Sequence, residues 1–211
     1  MNSALAGLVI LVIGDSQMKG LIHDLHDQLE DYGASVHSYL MCGATAQDWL
    51  SRTTVSCGRG ERHDRGPAVI SMQQALPTYS LPDLIAKNHP NLVVVELGEK
   101  LEPDHSWVQQ EVHTLASRIA ASHISCVWVG PTWGQDKAPY PTTDASIRDL
   151  TALLSSSVAP CSFFNSTNFA RPGELQTTDG THLSPDGYRR WGKAIADGIV
   201  QLHGQGAISS R

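Results

Sequence analysis

The chain has 211 residues, of which 41% are hydrophobic and 17% charged. That length buries a core without metals or disulfides, and the low charge with ample aliphatic content excludes a disordered chain. Fifteen Lys+Arg against 21 Asp+Glu leave a net charge of -6, which disfavours a general binder of phosphate backbones but not a local basic patch.

The first apolar run, Leu5–Ile13, is much shorter than the about 20 residues of a membrane span, and no Lys or Arg precedes it as in an export signal. Its core, Leu8–Ile13 (LVILVI), is continuous, as in a strand buried on both faces. Met18, Leu21, Ile22, Leu25 and Leu29 then recur at helical spacing over 17–31, and Gly33 stops that helix. A second strand follows over 35–40. From 51 to 80 periodicity is weak, so an irregular insertion is expected. There Arg52, Arg59, Arg62 and Arg65 face only Glu61 and Asp64, making either a solvated loop or a lip for anionic or polyhydroxylated ligands.

A short helix over 82–87 leads to a third strand, Leu92–Leu97 (LVVVEL). A helix over 103–122 carries Val108, Val112, Leu115 and Ile119 on one face, before a fourth strand, Cys126–Val129. Ile147, Leu150 and Leu154 mark a helix over 144–156, Cys161–Asn165 a fifth strand, and Ser184–His203 the last helix. Ser184 suits its N-cap and Pro185 its first helical position. Strands alternating with helices predict an α/β fold: one domain over 1–211, a three-layer sandwich with a five-stranded parallel sheet covered on both faces. The spacings of Cys42, Cys57, Cys126 and Cys161 contain no Cys-x-x-Cys, so no metal site is expected. Two disulfides in an oxidising compartment and four buried thiols both remain open.

Two segments carry chemistry. Gly14-Asp15-Ser16 lies between the first strand and the first helix, at the sheet edge where open α/β folds place ligands. The helix start offers a positive end and free N–H groups that can receive an oxyanion. The plainer reading makes Ser16 an N-cap. Near the other end stands Asp179-Gly180-Thr181-His182. A carboxylate three residues before an imidazole can hold one ring nitrogen while the other takes the proton from Ser16. Nucleophile, orienter and base would then be Ser16, Asp179 and His182. Asp15, Trp133 and Tyr140 are candidate substrate contacts, Trp133 by stacking on a sugar or acyl group with Tyr140 and Trp49 extending that wall; for each of the three aromatics, packing in the core or on the surface is the plainer reading.

These motifs resemble the SGNH/GDSL hydrolase family over nearly the whole chain, from Val9 to about Val200. Ser16 in IGDSQ looks like the nucleophile of block I. Gly43 in MCGATAQDW resembles the block II glycine, whose N–H serves the oxyanion hole, and Asp179 and His182 in DGTHLSPDGYRRW resemble the closing acid and base. The resemblance implies the flavodoxin-like fold of that family and an oxyanion hole built from the Ser16 and Gly43 N–H groups. Block III departs from the pattern: Gly98-Glu99-Lys100 stands where the family has Gly-x-Asn. Lys100 then occupies the place of the third donor, on a longer and less preorganised stem.

The expected activity is removal of a small acyl group, acetyl by preference, from a carbohydrate ester through an acyl-enzyme. Alternatives are a carbohydrate O-acetyltransferase, a lipid-ester or thioester hydrolase, and a catalytically weakened polysaccharide-binding protein. No cofactor, nucleic acid or integral membrane segment is expected, and oligomeric state is not legible. A complete chain without a leader implies the cytoplasm. A chain that has lost its leader, with four cysteines and a carbohydrate substrate, implies the periplasm or secretion.

Overall fold

The structure is a computed structural model and describes residues 3–98 and 106–208. Its elements are β1 (Val9–Gly14), α1 (Met18–Asp31), β2 (Ser35–Met41), β3 (Thr54–Val55), β4 (Gly58–His63), β5 (Val69–Met72), β6 (Leu76–Pro77), α2 (Leu81–Asn88), β7 (Leu92–Glu96), α3 (Ser106–Ala121), β8 (Ser125–Val129), α4 (Asp144–Ser157), β9 (Ser162–Phe164) and α5 (Pro185–Gly204).

β1 is buried on both faces because its alternate side chains enter two different cores. Ile10 and Val12 pack with Val36 and Leu40 of β2 beneath α1 and α5. Leu11 and Ile13 pack with Tyr39 and Met41 beneath α2, α3 and α4. Helices therefore cover both faces of the sheet, in three layers. The close seam between α1 and α5 uses small residues: Gly20 lies flat against the Tyr188 ring, and Gly192 against the backbone of α1. Trp191 fills the core beside them, its indole N–H donating to Ser166 Oγ (2.9 Å). Ser184 caps α5 by accepting from Gly187 N–H (3.3 Å).

The sheet has seven strands in the order β5-β4-β2-β1-β7-β8-β9, not five. The run β2-β1-β7-β8-β9 is parallel, with the flavodoxin-like order. β4 and β5 extend it antiparallel beyond β2, and β3 pairs with β6 in a separate ribbon. The expected irregular insertion thus carries four strands. β4 reads GRGERH, and its buried face presents Gly58, Gly60 and Arg62 in place of β-branched residues. Gly60 admits Leu40 and Ile70 against its backbone. That face needs no hydrophobic alternation, so periodicity did not reveal it.

The four arginines of this region turn inward or pair locally; they do not form a lip. Arg62 is buried on α1, donating to Asp27 (2.6 Å), to Gly66 O (3.0 Å) and to Ile22 O (3.2 Å). Arg65 reaches Asp31 and Glu30 O. Arg52 pairs with Asp83, and Arg59 stacks over Tyr79 while donating to Pro77 O. The cysteines form two disulfides. Cys42–Cys57 ties the end of β2 to the start of β4, and Cys126–Cys161 ties β8 to the segment entering β9.

His26 of α1 links the same hairpin to the core. Its Nε2–H donates to Asp64 O (2.8 Å), so Nδ1 is the acceptor, taking Ser38 Oγ–H (2.8 Å). Burial, reinforced by the Arg62 charge, lowers its pKa from the ordinary 6.5 to about 4. The unfolded chain therefore binds a proton that the folded one refuses between those values. Stability from this group is complete above about pH 6.5 and lost toward pH 4, in all about 3 kcal/mol. Thermal melting across that range should show a falling Tm, and His26→Gln should flatten that part of the dependence. An unchanged slope would show that His26 does not set it.

Candidate active site

Strand register aligns the exits from the parallel sheet. Gly14 of β1 pairs with Leu40 of β2 and Glu96 of β7; Glu96 pairs with Val129 of β8, and Val129 with Phe164 of β9. The turns carrying Ser16, Gly43, Gly98 and Pro131 therefore leave from one edge.

At the first turn Asp15 is only 2% exposed. Its N–H donates to Glu96 O (3.2 Å) and its carboxylate accepts from Gln17 N–H (3.0 Å). Asp15 thus shapes the turn from inside. Ser16 is not the N-cap; Gln17 holds that position. The Ser16 hydroxyl is 2.8 Å from His182 Nε2, across 166 residues of sequence.

His182 stands on a tight hairpin over 176–184. Thr178 N–H donates to His182 O and Ser184 N–H to Gln176 O, both at 2.8 Å, with Asp179-Gly180-Thr181 at the tip. Asp179 Oδ1 accepts from His182 N–H (2.8 Å) and Thr181 N–H (3.2 Å). Asp179 Oδ2 accepts from His182 Nδ1–H (2.7 Å). Burial alone would push the Asp179 carboxyl up. The hydrogen bonds from the His182 main chain and ring and from Thr181 outweigh it, leaving the pKa below the usual carboxylate value. Asp179 is therefore ionised at neutral pH, which keeps the imidazole proton on Nδ1 and leaves Nε2 to accept from Ser16.

The loop over 134–142 braces the hairpin. Gln135 N–H donates to Gly180 O (2.7 Å) and Tyr140 N–H to Asp179 O (3.0 Å). Gln135 Oε1 accepts from Thr177 N–H (2.9 Å) and its hydroxyl (2.8 Å). Tyr140, 58% exposed, meets His182 edge-on at 6.2 Å. Gly43 follows β2 in a turn closed by Ala44 N–H to Met41 O (3.1 Å), with φ 71°, the left-handed value a type II turn requires at that place. That bond does not use the Gly43 N–H. Glu99 and Lys100 lie outside the described residues.

Trp133 and Trp49 do not reach the site. Trp133 is 6% exposed and donates to Ala170 O (2.7 Å) in the core, and Trp49 is fully buried. A cavity of about 460 Å³ lies instead beside Gln17 and Thr181, walled by Glu96, Thr132, Tyr140 and Leu150 among others. Gln17, Gln135 and Thr181 were missed from sequence. They lie far apart along the chain, and no local pattern marks polar groups that meet only on folding.

The fold is similar to that of a solved GDSL-like lipase of Bacteroides thetaiotaomicron, at TM-score 0.58 and 15% identity over 93% of this chain and 89% of that one. Similar solved structures include TesA, at TM-score 0.62 and 19% identity over 92% of this chain and 99% of that one. A peptidoglycan O-acetylesterase matches at TM-score 0.62 and 13% identity over 97% and 93%. No protein-family model matches the chain. Protein BcsX of Komagataeibacter xylinus is 38% identical over 211 residues, covering 95% of this chain and 79% of that protein. The chain belongs to the BcsX family.

Gly180 (φ 101°) allows the hairpin tip to dock: a Cβ there would run into the Lys137 and Tyr140 carbonyls. Gly173 (φ 77°) has nothing nearby. In urea melts Gly180→Ala should lose about 1–3 kcal/mol from backbone strain plus the cost of the collision, and Gly173→Ala only the strain. Equal losses would mean that the docking is not tight.

Proposed function

We propose that this protein is a serine esterase that removes a small acyl group, acetyl by preference, from a carbohydrate ester. One observation carries the reading: a continuous hydrogen-bonded chain from Ser16 through His182 to an ionised Asp179, at 2.8 and 2.7 Å. Ser16 Oγ attacks the ester carbonyl as its proton passes to His182 Nε2. Asp179 stabilises the imidazolium. The N–H groups of Ser16 and Gly43 receive the oxyanion. His182 then protonates the departing alcohol oxygen, and the acyl group stays on Ser16. Water, losing its proton to His182, attacks the acyl-enzyme, and His182 returns that proton to Ser16 Oγ as the bond to the acyl group breaks and the acid is released.

The cavity next to Gln17 and Thr181 supports an alcohol portion with both polar and apolar faces, such as a sugar. Its lining mixes Asp149, Thr142, Ser146 and Thr181 with the apolar Leu97, Pro139, Ile147 and Leu150. A volume of about 460 Å³ far exceeds an acetyl group and leaves room for sugar. The two disulfides support an oxidising compartment such as the cell envelope.

p-Nitrophenyl acetate tests the reading. The protein should hydrolyse it and Ser16→Ala should fall to background; equal rates for both would sink the esterase. Asp179→Asn, which lets the imidazole take the wrong tautomer, should lower kcat by roughly 10³–10⁴-fold. Acetate release from acetylated glycans should exceed turnover of octanoyl esters, and the reverse order would favour a lipid substrate.

A further inference from the structure

We infer that Gln17 is a positioning residue for His182, an inference that rests on the esterase reading above. Gln17 directly follows Ser16 and is only 4% exposed. Its Nε2–H donates to Thr181 O (3.2 Å), across 164 residues of sequence. Thr181 O and His182 N–H belong to one peptide unit, and the other end of that unit donates to Asp179 Oδ1 (2.8 Å). The plane that carries His182 is therefore pinned at both ends, by Gln17 and by Asp179.

Gln17 is held in its turn. Its Oε1 accepts from the Tyr188 hydroxyl of α5, and its main-chain N–H donates to Asp15 (3.0 Å). Tyr188 is itself wedged against Gly20 of α1. Planes and bonds thus run from the nucleophile's own turn to the base, without passing through the Ser16–His182 hydrogen bond. The side chain sets the separation of those two groups before any substrate arrives. Losing it leaves the bonds from Asp179 in place but releases one end of the peptide plane that carries His182, and a displacement near 1 Å costs about 100-fold in rate.

The test uses the intact protein and three variants. Gln17→Ala removes the clamp. Gln17→Glu keeps the shape and the acceptor for Tyr188 but loses the donor to Thr181. Tyr188→Phe removes only the group that steadies Gln17. The first readout is the rate at which a fluorophosphonate phosphonylates Ser16 with loss of fluoride, which reports serine–histidine alignment without a substrate-binding contribution. The second is the low-field proton resonance of His182 Nδ1–H, which requires no turnover. Gln17→Ala and Gln17→Glu should both react roughly 10- to 100-fold more slowly, with the resonance broadened, and Tyr188→Phe should lose less. Gln17→Glu keeps the test valid if Gln17→Ala folds poorly. Gln17→Glu reacting at the wild-type rate with a sharp resonance would overturn the role of Gln17 alone. A wild-type protein inert to the probe would overturn the esterase reading and this inference with it.

Discussion

The register of β1 between β2 and β7 is the constraint on which the rest of the site depends. Gly14 lies level with Leu40 and Glu96, so the turns after three neighbouring strands open at one height. Burial of β1 on both faces holds that register. A slip of one residue would exchange Ile10 and Val12 with Leu11 and Ile13 between the two cores. Each core is packed to fit its own set, so the slip would cost on both sides of the sheet. The stability of the central strands is thus also what aligns Ser16 with Gly43.

The acid–base side of the site has a different origin. Asp179 and His182 lie on a hairpin tip with little apolar burial of its own. Hydrogen bonds hold it: Gln135 and Tyr140 from one loop, Gln17 from the nucleophile turn, and the internal bonds of Asp179. Such bonds are individually worth about 1 kcal/mol net but are directional. They suit a segment whose orientation matters more than its stability. The loop that braces the hairpin also walls the adjoining cavity through Gly134, Tyr140 and Thr142. A ligand there would touch the scaffold of the proposed base.

Composition and periodicity were good guides where the physics is local. The strand from the LVILVI run and the helix ending before Gly33 match β1 and α1 to within a residue or so. The later helices follow their apolar spacing, and Ser184 caps α5. Periodicity failed over β4 and β5, where glycine and an arginine stem fill the buried face. At Trp133 the plainer expectation of packing holds, and Asp15 lies inside its turn. Each is chemically suited to meet a substrate, yet one completes a turn and the other the core. Nothing in a single sequence distinguishes an aromatic side chain that lines a site from one that packs behind it.

The sequence by itself determined the alternation of strands and helices and the motifs that carry a serine, an aspartate and a histidine. Those properties follow from neighbours in the chain: apolar spacing, caps, and short motifs of fixed residue type. Only the tertiary structure decided that Ser16 and His182 meet, that four cysteines pair, and that Gln17 grips the peptide before His182. These contacts join residues far apart along the chain. They are set by strand order and by the packing of α5 on α1, and strand order is fixed only when the whole sheet closes.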